Sequence, residues 1–325
     1  MTNVVVRQPF GPSAMTTMKA VRLHDFGGPE VLRIEELPLP QPKDDEVLVR
    51  IHAASVNPVD FKTREGKYPM VKREDLPITL GRDFSGEIES YGTRAEGLRK
   101  GDAVFALLGR DRGAYAQYVV SKATEFAPKP KSLDHVAAAS VPLAALTAWQ
   151  GLFDQGGLAN GQRVLIHGGA GGVGHMAVQL AKAKGAWVAA TCGKDDLDFV
   201  RSLGADLAID YKNQRFEDEV SDIDLVYDLI AGETQERSFA VLKRGGALVS
   251  TLQKPDEAKA REKDLRVAHY MAQANAAQLA EVSRLIEGGK VKPAVRRTFA
   301  LDDAAKAQSF LAKEHVRGKV VLAVA

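Results

Sequence analysis

The residues with the clearest chemical meaning form a glycine-rich run that follows a short apolar stretch. The stretch Val-Leu-Ile-His leads into Gly168-Gly-Ala-Gly-Gly-Val-Gly174, after which a helical pattern begins. Where such a loop joins a strand to a helix, its glycines let the backbone approach a pyrophosphate, and the helix N–H groups bind the anion. A simple tight turn is the alternative. The predicted dinucleotide-binding residues are Gly169, Ala170, Gly171, Gly172, Val173 and Gly174.

The end of the next predicted strand bears on which dinucleotide this loop binds. A site for NAD usually offers an acid there, which holds the ribose 2′-hydroxyl. Here the strand WVAAT ends at Thr191 with no carboxylate at its tip, and Gly193 and Lys194 follow. These three residues favour the 2′-phosphate of NADPH. Asp195 and Asp196 argue the other way, unless they form the first turn of the next helix, where acids are favoured.

The elements that must position the loop follow two different patterns. From about residue 18 to 130, short alternating runs such as EVLVRIHAAS are separated by turn residues, which predicts an antiparallel barrel or sandwich. From about residue 140, apolar strands alternate with amphipathic helices, which is typical of a doubly wound parallel sheet. The predicted fold class is α/β, with a β-rich domain beside that sheet.

These patterns divide the chain into three parts. We expect residues 1–17 to be a flexible leader; a mitochondrial transit peptide or a start-site artefact are the alternatives. Residues 18–140 and 291–325 are expected to form the β-rich domain, because the last short strands return to it. Residues 141–290 are expected to form the dinucleotide-binding domain.

Composition excludes several classes of protein. The 325 residues include 44 Lys and Arg against 42 Asp and Glu, a formal net charge of +2, which argues against a nucleic-acid partner. No apolar run approaches the roughly 18 residues that span a bilayer, so we expect a cytoplasmic protein without a membrane partner. Cys192 is the single cysteine, and the seven histidines lack ligand spacing, so no metal site is expected.

Several motifs resemble the zinc-independent branch of the medium-chain dehydrogenase/reductase superfamily, which includes quinone oxidoreductases, zeta-crystallins and enone reductases. Residues 161–182 resemble the whole quinone oxidoreductase signature. Other similar stretches are AASVNPVDFKTREG (53–66), LGRDFSG (80–86), GAYAQYVV (113–120), LTAWQGL (146–152) and GKVVL (318–322). The resemblance implies a GroES-like catalytic domain around a Rossmann domain, and it implies that the protein is a homodimer, with LVSTL and LRVAHYM as the suspected edge strands.

Departures from the zinc-dependent alcohol dehydrogenases narrow the chemistry. Where those enzymes carry a catalytic cysteine, this chain has Asn57, and where they carry Gly-His-Glu it has Gly81-Arg82-Asp83. Without these ligands, zinc-assisted alcohol oxidation is not expected. The stretches NPVDFK and GRDFSG are similar to reductases that pass hydride from NADPH to quinones or to α,β-unsaturated carbonyls.

Four residues are candidates for the catalytic site. Asn57 could donate to a carboxamide or to the acceptor oxygen, or simply cap a turn before Pro58. Lys62 could hydrogen-bond a developing enolate or the nicotinamide ribose, or remain a solvated lysine. Tyr68 could be an acid or a stacking wall, although packing is the favoured interpretation. Arg82 could anchor a substrate, but an internal ion pair with Asp83 or Asp60 is favoured.

Four further residues are expected near the cofactor. The resemblance puts Thr147 beside the nicotinamide and Tyr211 beside the 2′-phosphate or adenine. Arg317 could reach the same phosphate or be a solvated loop residue, and Leu252 completes the set.

The leading hypothesis is a zinc-independent, NADPH-dependent oxidoreductase that transfers hydride to quinones or α,β-unsaturated carbonyls. One-electron quinone reduction is an alternative chemistry that the sequence does not separate. The alternative from another class is a non-catalytic NADPH-binding protein with an RNA-binding or regulatory role.

Overall fold

A computed structural model of the chain describes residues 17–95, 97 and 99–324. The expected leader lies outside these residues, apart from Thr17. None of the helices described combines the length and the apolar character that crossing a bilayer would require. The described chain forms a β-rich domain and a parallel-sheet domain, which confirms the predicted α/β fold class.

Alternating apolar residues build the β-rich domain. Its longest strand, β3, pairs antiparallel with β5, β7 and β16, and its buried Val49 and Ile51 pack with Phe84 and Ile88 of β5. The strands are β1 (Thr17–Leu23), β2 (Leu32–Pro38), β3 (Glu46–Val56), β4 (Ile78–Thr79), β5 (Asp83–Tyr91), β6 (Ala103–Leu107), β7 (Tyr118–Lys122), β8 (Phe126–Pro128), β15 (Val295–Ala300) and β16 (Lys319–Ala323). Its helices are α1 (Pro58–Arg64), α2 (His135–Ala139) and α10 (Ala304–Lys313).

Six parallel strands form the sheet of the second domain, in the order β11-β10-β9-β12-β13-β14. They are β9 (Arg163–His167), β10 (Trp187–Cys192), β11 (Leu207–Asp210), β12 (Ile223–Asp228), β13 (Leu242–Ser250) and β14 (Arg266–His269). Its helices are α3 (Pro142–Trp149), α4 (Gly174–Ala183), α5 (Leu197–Ser202), α6 (Phe216–Glu219), α7 (Gly232–Ser238), α8 (Glu257–Glu262) and α9 (Ala276–Glu287), and a π-helical turn, Gln150–Gln155, extends α3.

The central strand β9 shows why this sheet is covered on both faces. Val164 and Ile166 belong to one apolar cluster, whereas Leu165 between them belongs to another. Because successive strand residues point to opposite faces, helices must cover both faces of the sheet. The strand order reverses between β9 and β12, and ligands of open α/β sheets bind at such a switch point.

The two domains share part of one core. Phe105 and Leu107 of β6 belong to the same apolar cluster as Val164 and Ile166 of β9, together with residues of α3. Helix α3 therefore joins the β-rich domain to the parallel sheet and fixes the walls of the space between them.

Gly174 allows helix α4 to begin directly against the glycine loop. A Cβ atom added there would lie 2.0 Å from the carbonyl oxygen of Gly168 and 2.9 Å from the Cα of Gly169. Since both obstacles are backbone atoms, the helix would have to shift. We expect Gly174→Ala to lower the free energy of unfolding by about 1–3 kcal/mol in urea denaturation.

Gly171→Ala is the matched control, because its added Cβ would meet only the carbonyl oxygen of Gly168, at 3.5 Å. We expect this variant to unfold at the wild-type urea concentration. An unchanged stability of Gly174→Ala would contradict the tight contact between helix and loop.

Candidate active site

A cleft of about 740 Å³ lies between the two domains, at the switch point of the parallel sheet. It brings together residues that are far apart in the sequence. The predicted site residues that line it are Asn57, Lys62, Tyr68, Arg82, Thr147, Gly172, Val173 and Leu252. A second groove of about 650 Å³, on the β-rich domain, is lined by described residues that include no predicted site residue.

Asn57 lies in the floor of the cleft, where its side chain is fully engaged. It is the N-cap of α1, and its side-chain amide donates to Asp83 Oδ1 at 2.8 Å and to Ser55 Oγ at 3.2 Å. Its Oδ1 atom accepts a hydrogen bond from the Lys319 ammonium group. Both donors of Asn57 are therefore used inside the protein, and the amide positions Lys319 rather than offering a free N–H to a ligand.

Lys319 is a buried cation at the start of β16 that also lines the cleft. Its ammonium group donates to the carbonyl oxygen of Val56 at 3.3 Å as well as to Asn57. Burial lowers the pKa of Lys319, while the nearby carboxylates of Asp83 and Asp60 raise it, and the net shift is downward. The cation is thus held by hydrogen bonds and by two carboxylates below it.

Two buried carboxylates anchor this floor. Asp83 accepts from Ser55 Oγ at 2.6 Å and from the backbone N–H of Leu143, at the start of α3, at 2.9 Å. Asp60 accepts from the Asn57 backbone N–H at 2.8 Å and from the Tyr115 hydroxyl at 3.0 Å. Burial raises the pKa of Asp60 to about 6, although the Asn57 N–H acts in the opposite direction.

Lys62 faces the cleft from the exposed side of α1. Within the described part of the chain, its ammonium group makes neither a hydrogen bond nor an ion pair. Tyr68 lies at the rim, where its hydroxyl contacts the sulfur of Met271 at 3.6 Å across the domain boundary. The cleft therefore has a cation that is free to meet an anionic oxygen, and an amphipathic wall beside it.

Arg82 does not form the internal ion pair that was favoured for it. Its guanidinium group donates to the carbonyl oxygen of Leu108 at 3.0 Å, and no ion pair with Asp83 or Asp60 occurs among the described residues. The reason is that both carboxylates are already occupied by donors in the floor of the cleft. Arg82 instead borders the cleft as a further cation.

The glycine loop is fastened to its surroundings by backbone hydrogen bonds. Gly169 N donates to the carbonyl oxygen of Thr191 at 2.8 Å, and Gly318 N donates to that of Ala170 at 2.9 Å. Thr191 is buried, and its hydroxyl accepts from Gly168 N at 3.2 Å. Thr191 therefore supports the loop from below, which is a different position from the expected contact with a 2′-phosphate.

Lys194 and Tyr211 lie at the ends of neighbouring strands. Gly193 and Lys194 follow the end of β10, Tyr211 follows the end of β11, and Tyr211 N donates to the carbonyl oxygen of Cys192 at 3.2 Å. Both side chains are exposed, and within the described residues no ion pair involves Lys194. A cation and an aromatic ring are thus available at this edge of the sheet.

Arg317 is neither a free phosphate-binding residue nor a solvated loop residue. Its guanidinium group forms an ion pair with the buried Asp196, and His315 bonds the same carboxylate. Desolvation raises the pKa of Asp196, but these two hydrogen bonds outweigh it and hold the pKa below its usual range. The interpretation of Asp195 and Asp196 as helix-start residues agrees with the turn that they form before α5.

Thr147 and Leu252 lie on the wall formed by the parallel-sheet domain. The Thr147 hydroxyl donates to the carbonyl oxygen of Leu143 at 2.6 Å, while its own carbonyl oxygen accepts from Tyr227 at 3.0 Å and from Tyr270. Leu252 is half exposed at the cleft. The buried tyrosine pair was missed by sequence reasoning.

Lys319, Asp60 and Asp83 were also not proposed as site residues. The motifs that contain them were noticed, but a lysine at the start of a strand and acids in a turn usually remain at the surface. No spacing rule connects residue 57 with residue 319, so only the pairing of β16 with β3 brings them together.

A Rossmann sheet with a glycine loop, facing a second domain across a cleft, defines a two-domain nucleotide-dependent oxidoreductase. Residues 43–131 match the alcohol dehydrogenase GroES-like domain, and residues 203–322 match the zinc-binding dehydrogenase family.

Three similar proteins specify the relationship. The chain is 36% identical to 2-methylene-furan-3-one reductase from Solanum lycopersicum over 95% of this chain and 80% of that protein. It is 36% identical to NADPH-dependent alkenal/one oxidoreductase from Arabidopsis thaliana over 94% of this chain and 79% of that protein. The quinone oxidoreductase structure from Coxiella burnetii has a TM-score of 0.89 at 36% identity, covering 95% of this chain and all of that chain.

The chain therefore belongs to the quinone oxidoreductase and enone reductase branch of the medium-chain dehydrogenase/reductase superfamily. It is an oxidoreductase that depends on NAD(P)H and acts on a small molecule.

Although one matching family model carries zinc in its name, the cleft of this chain does not fit that ion. Asn57 and Arg82 occupy the positions of the lost ligands, and the Lys319 ammonium group is bonded to Asn57. Two cations and an engaged amide at these three positions are not a zinc ligand set.

Asp60 makes the stability of the folded protein depend on pH. Its folded-state pKa of about 6 lies above its ordinary value of 3.8, so the folded chain binds this proton more tightly. The contribution of Asp60 to stability is fully present below about pH 4 and is lost as the pH rises through 6. Asp60→Asn lacks the titrating carboxyl group and should not show this loss. We therefore expect the difference in unfolding free energy, variant minus wild type, to rise by about 3 kcal/mol between pH 4 and 7.

Tyr115→Phe is the control, since it removes one hydrogen bond from Asp60 and keeps the carboxyl group. Urea denaturation between pH 4 and 7 should show that this variant loses at least as much unfolding free energy as the wild type. A parallel pH dependence for wild type and Asp60→Asn would show that this carboxyl is not the group responsible.

Proposed function

We propose that this protein is a zinc-independent, NADPH-dependent reductase of quinones or α,β-unsaturated carbonyls. The observation that carries the proposal is the cleft in which an unpaired cation, Lys62, shares one space with the glycine-loop residues Gly172 and Val173. The names of the three similar proteins agree with this substrate class. No observation favours the alternative of a non-catalytic, RNA-binding or regulatory protein.

The cofactor fits the glycine loop. A Cβ atom added at Gly171 would meet only the carbonyl oxygen of Gly168, at 3.5 Å. The space beside this residue is therefore open to a pyrophosphate. The N-terminus of α4, a helix of 10 residues, follows directly and would bind the phosphates through its N–H groups. Gly169, Ala170 and Gly174 complete the loop. When bound, NADPH supplies the hydride.

Selectivity for NADPH over NADH follows from charge at the end of β10. Asp196 follows the end of β10 and is buried. Arg317 and His315 pair with its carboxylate. The exposed Lys194 is the cation available to a 2′-phosphate at this edge, with Tyr211 on the neighbouring strand end, while the exposed Asp195 that follows Lys194 carries the opposite charge. A 2′-phosphate gains a charge-assisted hydrogen bond there, whereas a hydroxyl gains little.

The residues of the cleft act on the acceptor through charge and shape. As hydride reaches the β-carbon of an enone, negative charge develops on the carbonyl oxygen, and the Lys62 ammonium group would stabilise it. Arg82 adds positive potential to the same space, whereas the charge of the buried Lys319 is offset by Asp60 and Asp83. Tyr68, Leu252 and Met271 provide walls for a flat carbonyl compound, and Thr147 borders the nicotinamide position.

The domain boundaries and the oligomeric state that the sequence predicts complete the proposal. Residues 18–140 and 291–325 form the catalytic domain, and residues 141–290 form the cofactor domain. The protein is a homodimer, for which the edge strand β14 offers unpaired backbone groups, whereas β13 lies between β12 and β14.

Removing the Lys62 ammonium group should slow the reaction without weakening cofactor binding. We expect Lys62→Ala to reduce kcat on quinones and enones by roughly 10²–10³-fold, as for the loss of one donor to a developing oxyanion, with the Kd for NADPH unchanged. NADPH oxidation is followed with 1,4-benzoquinone, 9,10-phenanthrenequinone, an alkenal, a furanone-type enone and a saturated aldehyde.

Lys72→Ala is the matched control, because Lys72 is exposed, pairs with Glu74 and does not line the cleft. It should retain wild-type activity. The proposed function is overturned if the wild-type protein reduces the saturated aldehyde. The proposed site is overturned if Lys62→Ala keeps full activity. Detection of a semiquinone by electron paramagnetic resonance distinguishes one-electron reduction from hydride transfer.

The 2′-phosphate site has its own test. We expect Lys194→Ala to raise the Kd for NADPH by roughly tenfold or more, because a charge-assisted hydrogen bond contributes about 1.5–3 kcal/mol. The Kd for NADH should not change, since NADH has no 2′-phosphate. Tryptophan fluorescence titration with both cofactors measures this, and an equal loss for both would contradict the assignment of Lys194.

A further inference from the structure

Two histidines and a glutamate meet on the β-rich domain, outside the cleft. His52 comes from β3, Glu87 from β5, and His135 is the first residue of α2, which packs against both strands. One ligand atom from each of the three side chains lies within 4.8 Å of the other two. The seven histidines lack ligand spacing in the sequence, and the fold nevertheless brings these two together.

The hydrogen bonds of Ser85 determine which nitrogen of His135 is protonated. Ser85 Oγ donates its single proton to the carbonyl oxygen of Val104 at 3.2 Å. In that arrangement it accepts from His135 Nδ1, at 2.9 Å, which assigns the proton of the neutral ring to Nδ1. The lone pair of His135 Nε2 is then directed toward Glu87 Oε1, at 3.9 Å. A cation placed between these two acceptors would be bound by both.

His52 adds a second nitrogen to this space. Its Nε2 atom is buried without a hydrogen bond, 3.3 Å from Glu87 Oε2. The two imidazole rings stack with centroids 4.3 Å apart. Arg50 donates to Glu87 Oε2 at 2.8 Å, so it orients the carboxylate and leaves Oε1 available. The charges around the site are Arg50, Lys129 and Asp134, in addition to Glu87.

We propose that His52, Glu87 and His135 bind a divalent transition-metal ion of the zinc type. Two imidazole nitrogens and one carboxylate oxygen are a preferred ligand set for Zn²⁺, with water in the fourth position. Nitrogen ligands of one tetrahedral zinc ion lie about 3.3 Å apart, so no pair of ligand atoms has to close by more than about 1.5 Å. Each side chain is 22–33% exposed, which leaves room for that movement and a path for the ion.

Such an ion would act on structure rather than on hydride transfer. It would link α2 to β3 and β5, and Ser85 and Arg50 would orient the ligands from behind. Strand β5 carries Asp83, Ser85 and Glu87 on alternate positions, so the metal site and the floor of the cleft share one rigid strand. None of the three ligands lines the cleft. The proposal therefore does not depend on the proposed function.

The test uses the full-length, untagged chain after treatment with EDTA and dialysis. Titration with ZnCl₂ in a calorimeter should show one ion bound per chain, and Co²⁺ should produce visible d–d absorption bands. His135→Asn keeps a donor for Ser85 and removes Nε2, and His52→Phe keeps the ring stacking and removes the ligand. Each variant should weaken Zn²⁺ binding by roughly tenfold or more and lose the thermal stabilisation that Zn²⁺ gives the wild type.

His24→Asn is the matched control, because His24 pairs with Glu35 in another part of the same domain. It should bind Zn²⁺ as the wild type does. Circular dichroism establishes that the variants are folded. The proposal is overturned if the wild type binds no Zn²⁺, or if His135→Asn and His52→Phe, both folded, bind it as tightly as His24→Asn.

Discussion

The burial of two carboxylates and one ammonium group beneath the cleft is the constraint on which the site depends. Asp60, Asp83 and Lys319 are almost completely removed from water. Buried charges are costly unless they are paired and hydrogen-bonded, and breaking such a group leaves an uncompensated charge. Asn57 solves this problem, because its amide donates to Asp83 and accepts from Lys319 at the same time.

This network also connects the elements that form the walls of the cleft. Asp83 at the start of β5 accepts from the first turn of α3, and Asp60 holds the first turn of α1. Lys319 adds strand β16. The result is a floor in which one ammonium group lies in the field of two buried carboxylates, so that its charge is offset within the protein. Lys62 projects above this floor on a helix whose N-terminus cannot move without breaking the network.

Three consecutive residues near the C-terminus connect the two domains through hydrogen bonds and an ion pair. Arg317 pairs with Asp196 near the end of β10, Gly318 donates to Ala170 in the glycine loop, and Lys319 bonds Asn57 in the β-rich domain. The same short segment thus contacts the cofactor edge, the phosphate loop and the catalytic floor. The proposed hydride transfer requires a fixed distance between cofactor and acceptor, and this segment would help to fix it.

The sequence by itself determined the class of fold and the location of the cofactor loop, because both are local properties. Residues 163–174 show a strand, a turn and a helix start within one short window, and the change in apolar period near residue 140 separates the two domains. The resemblance to the zinc-dependent alcohol dehydrogenases likewise indicated which zinc ligands are replaced. Only the tertiary structure decided that Arg317 pairs with Asp196, that Lys319 rests on Asn57, and that His52 meets His135. These contacts join residues 83 to 262 positions apart, and burial and strand pairing, rather than any local pattern, bring them together.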